Sequence, residues 1–308
     1  MVRNISSMIF CVSLTFSAVR ASEPQFTFVS FDYPGAASTA PQGVNAQREV
    51  VGGYTDTAGK THGFLLSGGS YTSLDFPGAL VTLARGINNQ GEIVGQHVDF
   101  GGLPGGGILG FLWQGGAFTG VIHPGHLNTI AVRITDSGVI VGCYHDSDTM
   151  GSMHGYMLSG GNYSDVAAGA SMNNGALADG SITAGLWTDM MTGMTHGFLA
   201  NNSGLMPFDF PFSTSTAAWD MNESGDVVGV YADAAKKGHG FLLVQGGLLS
   251  TFGIGTGAPY EFVSIDYPGA ASTAALGINS KGDIVGSYTD SAGKTHGFLA
   301  RRARRRQA

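Results

Sequence analysis

Histidine and aspartate recur at fixed places along this sequence, and both residue types bind metal ions and transfer protons. The histidines are His62, His154, His196, His239 and His296. The aspartates are Asp56, Asp99, Asp189, Asp233 and Asp290. A ring of metal sites is one interpretation. Leu109 replaces one histidine without interrupting the series. We therefore favour a structural role, in which each Asp caps its own hairpin loop and each His ties its strand to a neighbour.

Methionines and non-repeated histidines form a second group that could do chemistry. Thioether sulfur and imidazole nitrogen together suit Cu(I), so a copper-binding loop face is a hypothesis. Methionine is also an adaptable apolar side chain, so packing or contact with a partner protein is the interpretation we favour. The candidate ligands are Met150, Met153, Met190, Met191, Met194, His123 and His126.

Two other chemical interpretations fail on spacing. The loops 55–61 and 289–295 both contain Gly-Lys-Thr, but a phosphate-binding loop needs a glycine where Tyr54 and Tyr288 stand. No G-x-S-x-G nucleophile motif occurs in the sequence. The sequence therefore predicts no catalytic residue. An extracytoplasmic enzyme acting on carbohydrate stays an alternative, because an active site gathered from several repeats leaves no local motif.

These residues belong to a sequence motif that occurs six times, with the form G-I-N-x-x-G-x-I-V-G-x-Y-x-D followed by H-G-F-L. The glycine of its I-V-G core recurs at intervals of 43, 47, 43, 44 and 57 residues. Such spacing is typical of propeller blades. The core glycines are Gly52, Gly95, Gly142, Gly185, Gly229 and Gly286.

Each repeat unit divides into four short strands, because runs of β-branched and aromatic residues alternate with turns rich in Gly, Asn and Asp. The sequence predicts an all-β, six-bladed β-propeller of four-stranded antiparallel blades. The last unit stops after its third strand at 295–299, whereas 26–33 is a lone fourth strand that closely matches 262–267. We therefore expect the N-terminal strand to complete the last blade. An open β-solenoid or two three-bladed halves would explain the missing strand less well.

The repeat resembles the probable extracellular HAF-family repeats of bacteria, through YPGAAST, GIN, G-x-I-V-G-x-Y and H-G-F-L, over nearly all of residues 26–300. The family tripeptide His-Ala-Phe is His-Gly-Phe or His-Gly-Tyr here. The resemblance implies an exported repeat protein, and it implies no particular activity.

Both ends of the chain differ from the repeats. Residues 1–21 are interpreted as a secretory signal peptide, with Arg3 before an apolar stretch that is too short to span a bilayer, and no other segment is predicted to span one. Residues 301–308 hold five arginines and are predicted to be a basic disordered tail. The propeller domain is assigned to 22–300. Cys143 is then the only mature thiol, and we expect it to be buried and inert.

Charge and composition limit the possible partners. The whole chain carries a net charge of −7, and removing the seven terminal arginines leaves about −14 on residues 22–300. Nucleic acid is therefore excluded as the expected partner. The leading hypothesis is a secreted, periplasmic or extracellular monomer without enzymatic activity. It would be a binding or surface-interaction module with a protein or glycan partner.

Overall fold

The computed structural model describes residues 26–99, 107–126, 128–146, 153–166, 170–244 and 261–302. This part of the chain forms 24 strands and no helix. The strands make six four-stranded antiparallel sheets, which confirms the predicted six-bladed β-propeller. Within the same residues, no helix is long and apolar enough to cross a membrane.

The strands of each blade are lettered a to d from the propeller axis outward. Blade 1 contains β2 (Ser38–Val44), β3 (Val50–Thr55), β4 (Thr61–Ser67) and β5 (Ser70–Leu74). Blade 2 contains β6 (Val81–Ile87), β7 (Ile93–Asp99), β8 (Gly107–Gln114) and β9 (Ala117–Val121). Blade 3 contains β10 (Asn128–Ile134), β11 (Ile140–His145), β12 (Met153–Ser159) and β13 (Asn162–Asp165).

The second half of the ring repeats this order. Blade 4 contains β14 (Ser171–Ala176), β15 (Thr183–Thr188), β16 (Thr195–Asn201) and β17 (Gly204–Phe208). Blade 5 contains β18 (Ser215–Met221), β19 (Val227–Ala232), β20 (Gly238–Val244) and β21 (Glu261–Ile265). Blade 6 contains β22 (Ser272–Ile278), β23 (Ile284–Thr289), β24 (Thr295–Arg302) and, as its strand d, β1 (Phe26–Phe31).

The N-terminal strand closes the ring as predicted. Strand β1 pairs with β24 in a register that runs from Phe26 opposite Arg302 to Phe31 opposite Gly297. The ring of Phe28 lies edge-on to Phe298, with 5.6 Å between the ring centroids. Because β24 continues to Arg302, the sheet extends two residues beyond the expected end of the propeller at residue 300. Residues 303–308 of the predicted tail lie outside the described residues, as does the predicted signal peptide.

The glycine and the aromatic residue of the repeat pack on each other inside every blade. In blade 2, Gly95 on strand b lies directly opposite the fully buried Phe111 on strand c. A Cβ atom at Gly95 would come within 2.7 Å of the Phe111 ring. The same cross-strand pairing occurs in the other blades. The I-V-G and H-G-F motifs of the repeat therefore correspond to one packing contact between neighbouring strands.

The asparagine of the G-I-N motif joins neighbouring blades. The Asn45 side chain accepts hydrogen bonds from the amides of Gln47 and Glu49 in its own turn, and its Nδ2 donates to the carbonyl of Asn88 in the next blade at 3.1 Å. Asn279 of blade 6 donates in turn to the carbonyl of Asn45 at 2.9 Å, which links the last blade to the first. The motif therefore supports ring closure as well as the local turn.

Candidate functional site: the loop face and the propeller axis

The disc has two faces that differ in character. The b–c and d–a connections meet on one side, which we call the loop face. The a–b and c–d turns meet on the other side, which we call the turn face. Antiparallel pairing within every blade fixes this division. Irregular connections, which commonly carry function, therefore gather on the loop face.

The repeated histidines and aspartates hold the loop-face connections in place. In blade 1, His62 Nδ1 lies 2.8 Å from Asp75 and its Nε2 lies 3.4 Å from Asp56. Asp56 Oδ1 also accepts hydrogen bonds from the amides of Ala58 and Lys60, as expected for a residue that caps its own loop. These contacts lower the pKa of Asp56, with the Lys60 amide as the largest cause. The pattern agrees with the structural role favoured from the sequence.

Blade 2 shows that the histidine and its partner are replaced together. Where the other blades have histidine on strand c, blade 2 has Leu109, and the position equivalent to Asp75 is held by Ile122. Apolar residues thus occupy both positions of the hydrogen-bonded pair. This concerted exchange indicates that the two side chains form a structural unit, since a metal site would lose its ligands.

Blade 3 uses its histidines differently. Asp146 lies between two imidazoles, 2.8 Å from His154 Nε2 and 3.0 Å from His126 Nδ1. His123 stacks on Tyr144 at 4.1 Å, in the place where other blades have an aromatic side chain before the Pro-Gly turn. Burial lowers the pKa of His123, and this is the largest cause of its shift. His123 is therefore the packing residue of this turn.

The described copper candidates differ in their surroundings. Met153 lies on β12 and is 2% exposed, packed against Ile130, Val132 and Cys143, so it belongs to the core and not to the loop face that the copper hypothesis requires. Met190, Met191 and Met194 are exposed on the b–c loop of blade 4. Met150 lies outside the described residues. Among the described residues, no three His, Cys, Asp or Glu side chains are placed to share a metal ion. Copper binding stays a prediction that rests on the exposed methionines.

Cys143 is a buried thiol, as the sequence predicted. Its side chain is fully enclosed, and burial raises its pKa to about 12. The thiolate is the reactive form of cysteine. Cys143 is therefore unreactive for two reasons: reagents cannot reach it, and its thiol stays protonated. We expect protein lacking residues 1–21 to react with a disulfide reagent at pH 8 only after unfolding, as followed by absorbance. Rapid modification of the native protein would contradict this burial.

The axis is blocked by one arginine that contacts most of the ring. Arg133 on β10 donates hydrogen bonds to the carbonyls of Arg85, Gln42 and Leu276, which belong to blades 2, 1 and 6. Its Nε lies 3.1 Å from the carboxylate of Asp220 in blade 5. Counting its own blade, one side chain thus joins five of the six blades.

Arg133 and Asp220 occupy the place of a glycine in the repeat. All six inner strands have a β-bulge at this level, with one extra residue before the glycine position. At Gly43, a Cβ atom would lie 2.7 Å from the Arg85 carbonyl, so neighbouring strands approach too closely for a side chain pointing that way. In blades 3 and 5 the larger residues turn their side chains to each other. Sequence reasoning did not identify this pair. The signal available in the sequence was a charged residue at the position where most of the repeats have glycine.

Asp220 has a buried carboxyl group. Burial raises its pKa, and the guanidinium of Arg133 opposes that rise. The amides of Met221 and Ile278 also donate to it, each at 2.9 Å. On the turn-face side of the pair lies a shallow polar pocket of about 80 Å³, which both residues line with the a–b turns. The axis is therefore closed between this pocket and the loop face.

Large apolar side chains are exposed mainly on the loop face. Of the seven that are exposed in the described residues, only Val29, on the outer strand β1, lies elsewhere. The six on the loop face are Leu80, Ile122, Met190, Met191, Met194 and Phe212. They lie on the b–c loop of blade 4 and on three of the d–a connections. Met190, Met191 and Met194 share one loop, and the other three lie singly on separate connections of the same face.

Phe212 is the most unusual of these side chains. It is 99% exposed and has a φ of 63°, in the left-handed region that disfavours side chains. The turn is Pro211-Phe212 with a hydrogen bond from the Ser213 amide to the Phe210 carbonyl at 3.1 Å. The same turn elsewhere has glycine after proline, also at positive φ: Gly35, Gly78, Gly125 and Gly269. A type II turn favours glycine at this position, so Phe212 is held at a conformational cost.

Comparison with known proteins identifies a likeness in fold. No protein-family model matches the chain. No curated protein matches its sequence. Among solved structures, the chain is similar to a lectin of Aleuria aurantia in complex with Fucalpha1-6GlcNAc, with a TM-score of 0.50 and 12% identity over 85% of this chain and 91% of that one. A structure of AofleA from Arthrobotrys oligospora gives a TM-score of 0.47 at 11% identity, over 89% of this chain and 86% of that one. At 12% identity, the likeness to the Aleuria aurantia lectin shows the fold alone.

Proposed function

We propose that this protein is an exported binding module that holds a partner on its loop face without catalysing a reaction. The observation that carries the proposal is the gathering of exposed apolar side chains on that face, while the axis behind it is closed by Arg133 and Asp220. The resemblance to HAF-family repeats and the signal-like segment 1–21 support export.

The strain at Phe212 supports a functional role for that side chain. A bulky residue in the left-handed region costs about 1–2 kcal/mol, and no buried contact offsets this for a ring that is 99% exposed. The backbone around it is well anchored, because Phe210 stacks on Tyr231 at 3.7 Å and its amide donates to Thr216 at 2.9 Å. Phe212 is therefore presented on a rigid turn, which lowers the entropy cost of binding.

The chemistry of this surface favours a protein partner. Exposed methionines adapt to apolar surfaces of differing shape, and an exposed phenylalanine is a common binding anchor. A glycan partner is the second candidate, and the observation behind it is the propeller fold shared with the sugar-bound lectin. A glycosidase has less support, since such enzymes use a pair of carboxyl groups and the described inner strands provide Asp220 alone, held by Arg133.

Replacing Phe212 with glycine is the direct test of the proposal. We expect the free energy of unfolding to rise by about 1 kcal/mol, because the turn regains the residue that its φ favours. We expect binding to the partner to weaken at least tenfold, or about 1.4 kcal/mol, because the anchor is lost. Urea unfolding gives the first quantity. Immobilised protein exposed to a secreted protein fraction, with a glycan array in parallel, gives the second.

Val29→Ser is the matched control, since it removes an exposed apolar side chain away from the loop face and should leave binding unchanged. Loss of stability in Phe212→Gly with unchanged binding would assign Phe212 a purely structural role. Strong glycan binding that survives Phe212→Gly would instead select the glycan alternative.

A further inference from the structure

The propeller axis carries an excess of positive charge. The six inner strands contain only three charged residues, which are Arg85, Arg133 and Asp220. Asp220 is paired with Arg133 at 3.1 Å. Arg85 is thus left without a counter-ion on these strands, in a protein whose net charge is −7.

The surroundings of Arg85 offer no negative charge. Its Nε donates to Gln96 Oε1 at 2.8 Å, and among the described residues no carboxylate lies within ion-pair distance of it. Its neighbour Cys143 is a neutral thiol, because burial raises that pKa to about 12. Burial lowers the pKa of Arg85 to about 10, so the guanidinium remains charged at neutral pH.

An enclosed charge without a partner is costly, and proteins usually pair such groups. Arg85 is partly exposed rather than fully buried, so its guanidinium contacts solvent. With Nε engaged by Gln96, the two terminal nitrogens remain as a planar pair of donors, which matches the two oxygens of a carboxylate. Gln42 and Trp219 occupy the equivalent bulge positions in blades 1 and 5 and add an amide and an indole to this level of the axis.

We propose that Arg85 binds the carboxylate of a small anionic ligand on the loop-face side of the Arg133 side chain. Arg85 Nε reaches Gln96, which pairs with Leu83, two residues nearer than Arg85 to the loop-face end of β6, so the guanidinium lies on the loop-face side of the bulge. The site is separate from the apolar surface of the proposed function, and either can fail without the other.

The first test is the melting temperature of the protein comprising residues 22–308 at pH 7, in a low-salt buffer. Sodium acetate and sodium galacturonate are added separately, with sodium fluoride and neutral galactose as controls of ionic strength and sugar. We expect a carboxylate to raise the melting temperature in a saturable way, and the controls to have no such effect. A response to both carboxylates indicates a small acid, and a response to galacturonate alone indicates an acidic sugar.

Arg85→Gln and Arg85→Leu test the residue itself. Both should lose the carboxylate response, and both should melt about 2–4 °C higher than the wild type without ligand, because an unpaired enclosed charge is removed. Arg48→Gln, which alters an exposed arginine on the turn face, should keep the response. Absence of any carboxylate effect on the wild type, or its persistence in Arg85→Gln, would overturn the proposal.

Discussion

Replacing Arg133 with leucine is expected to lower the free energy of unfolding by about 3–5 kcal/mol, as measured by urea denaturation at pH 7. The loss has two sources. Asp220 is left enclosed without its counter-ion, and the carbonyls of Gln42 and Leu276 lose their donor across the axis. An unpaired polar group in such a place costs its full desolvation free energy. The effect on stability should therefore be among the largest of any single substitution in this chain.

The double variant Arg133→Leu with Asp220→Leu separates these two sources. Removing both charges eliminates the uncompensated carboxylate, so the double variant should be more stable than Arg133→Leu alone. The remaining deficit then measures the carbonyl contacts. A fall of less than about 1 kcal/mol for Arg133→Leu would contradict the role of this side chain as the link between blades.

Removal of the closing strand is expected to abolish the folded monomer. A chain that begins at residue 34 lacks β1, so β24 becomes an exposed edge and Phe298 loses the ring of Phe28. It also loses Asp32, which lies 2.8 Å from His296 Nδ1. Domains are stable by only about 5–15 kcal/mol, and loss of a whole strand consumes much of that. Size-exclusion chromatography and circular dichroism should show aggregation or loss of cooperative unfolding, because exposed edges pair with other chains.

A synthetic peptide of residues 24–33 provides the control. Added in trans, it should pair with β24 and restore cooperative unfolding of the shortened chain, as in other cases of strand addition. A peptide with Phe28→Ser should restore it less. If the shortened chain unfolds with the same midpoint as the complete one, β1 does not hold the ring closed.

The fold was open to prediction because its determinants are local and repeated. The I-V-G and H-G-F letters recur because each blade needs one aromatic ring over one glycine, as Gly95 and Phe111 show. The match between residues 26–33 and 262–267 is enough to predict the closure, because two segments of like sequence fill the same place in their blades. Two predicted strand ends differ from the observed ones: the segment 26–33 ends as a strand at Phe31, and the segment 295–299 continues to Arg302.

The candidate sites were less accessible to sequence reasoning. The sequence drew attention to the methionines, yet Met153 is a core residue, because its place on β12 turns it inward. It gave no weight to Phe212, whose meaning depends on the backbone φ of a turn that elsewhere has glycine. Sequence reasoning also did not single out Arg85, because whether a charged side chain has a counter-ion depends on residues that are distant along the chain.

By itself, the sequence determined the number of blades, the four-strand unit and the closure by β1. These follow from short-range packing and turn requirements, which repeat at a nearly constant spacing along the sequence. Only the tertiary structure decided that Arg133 and Asp220 meet across the axis, that Arg85 has no counter-ion there, and that the exposed apolar side chains share one face. Such relations join residues from different blades, and the circular arrangement that brings them together is a property of the closed ring as a whole.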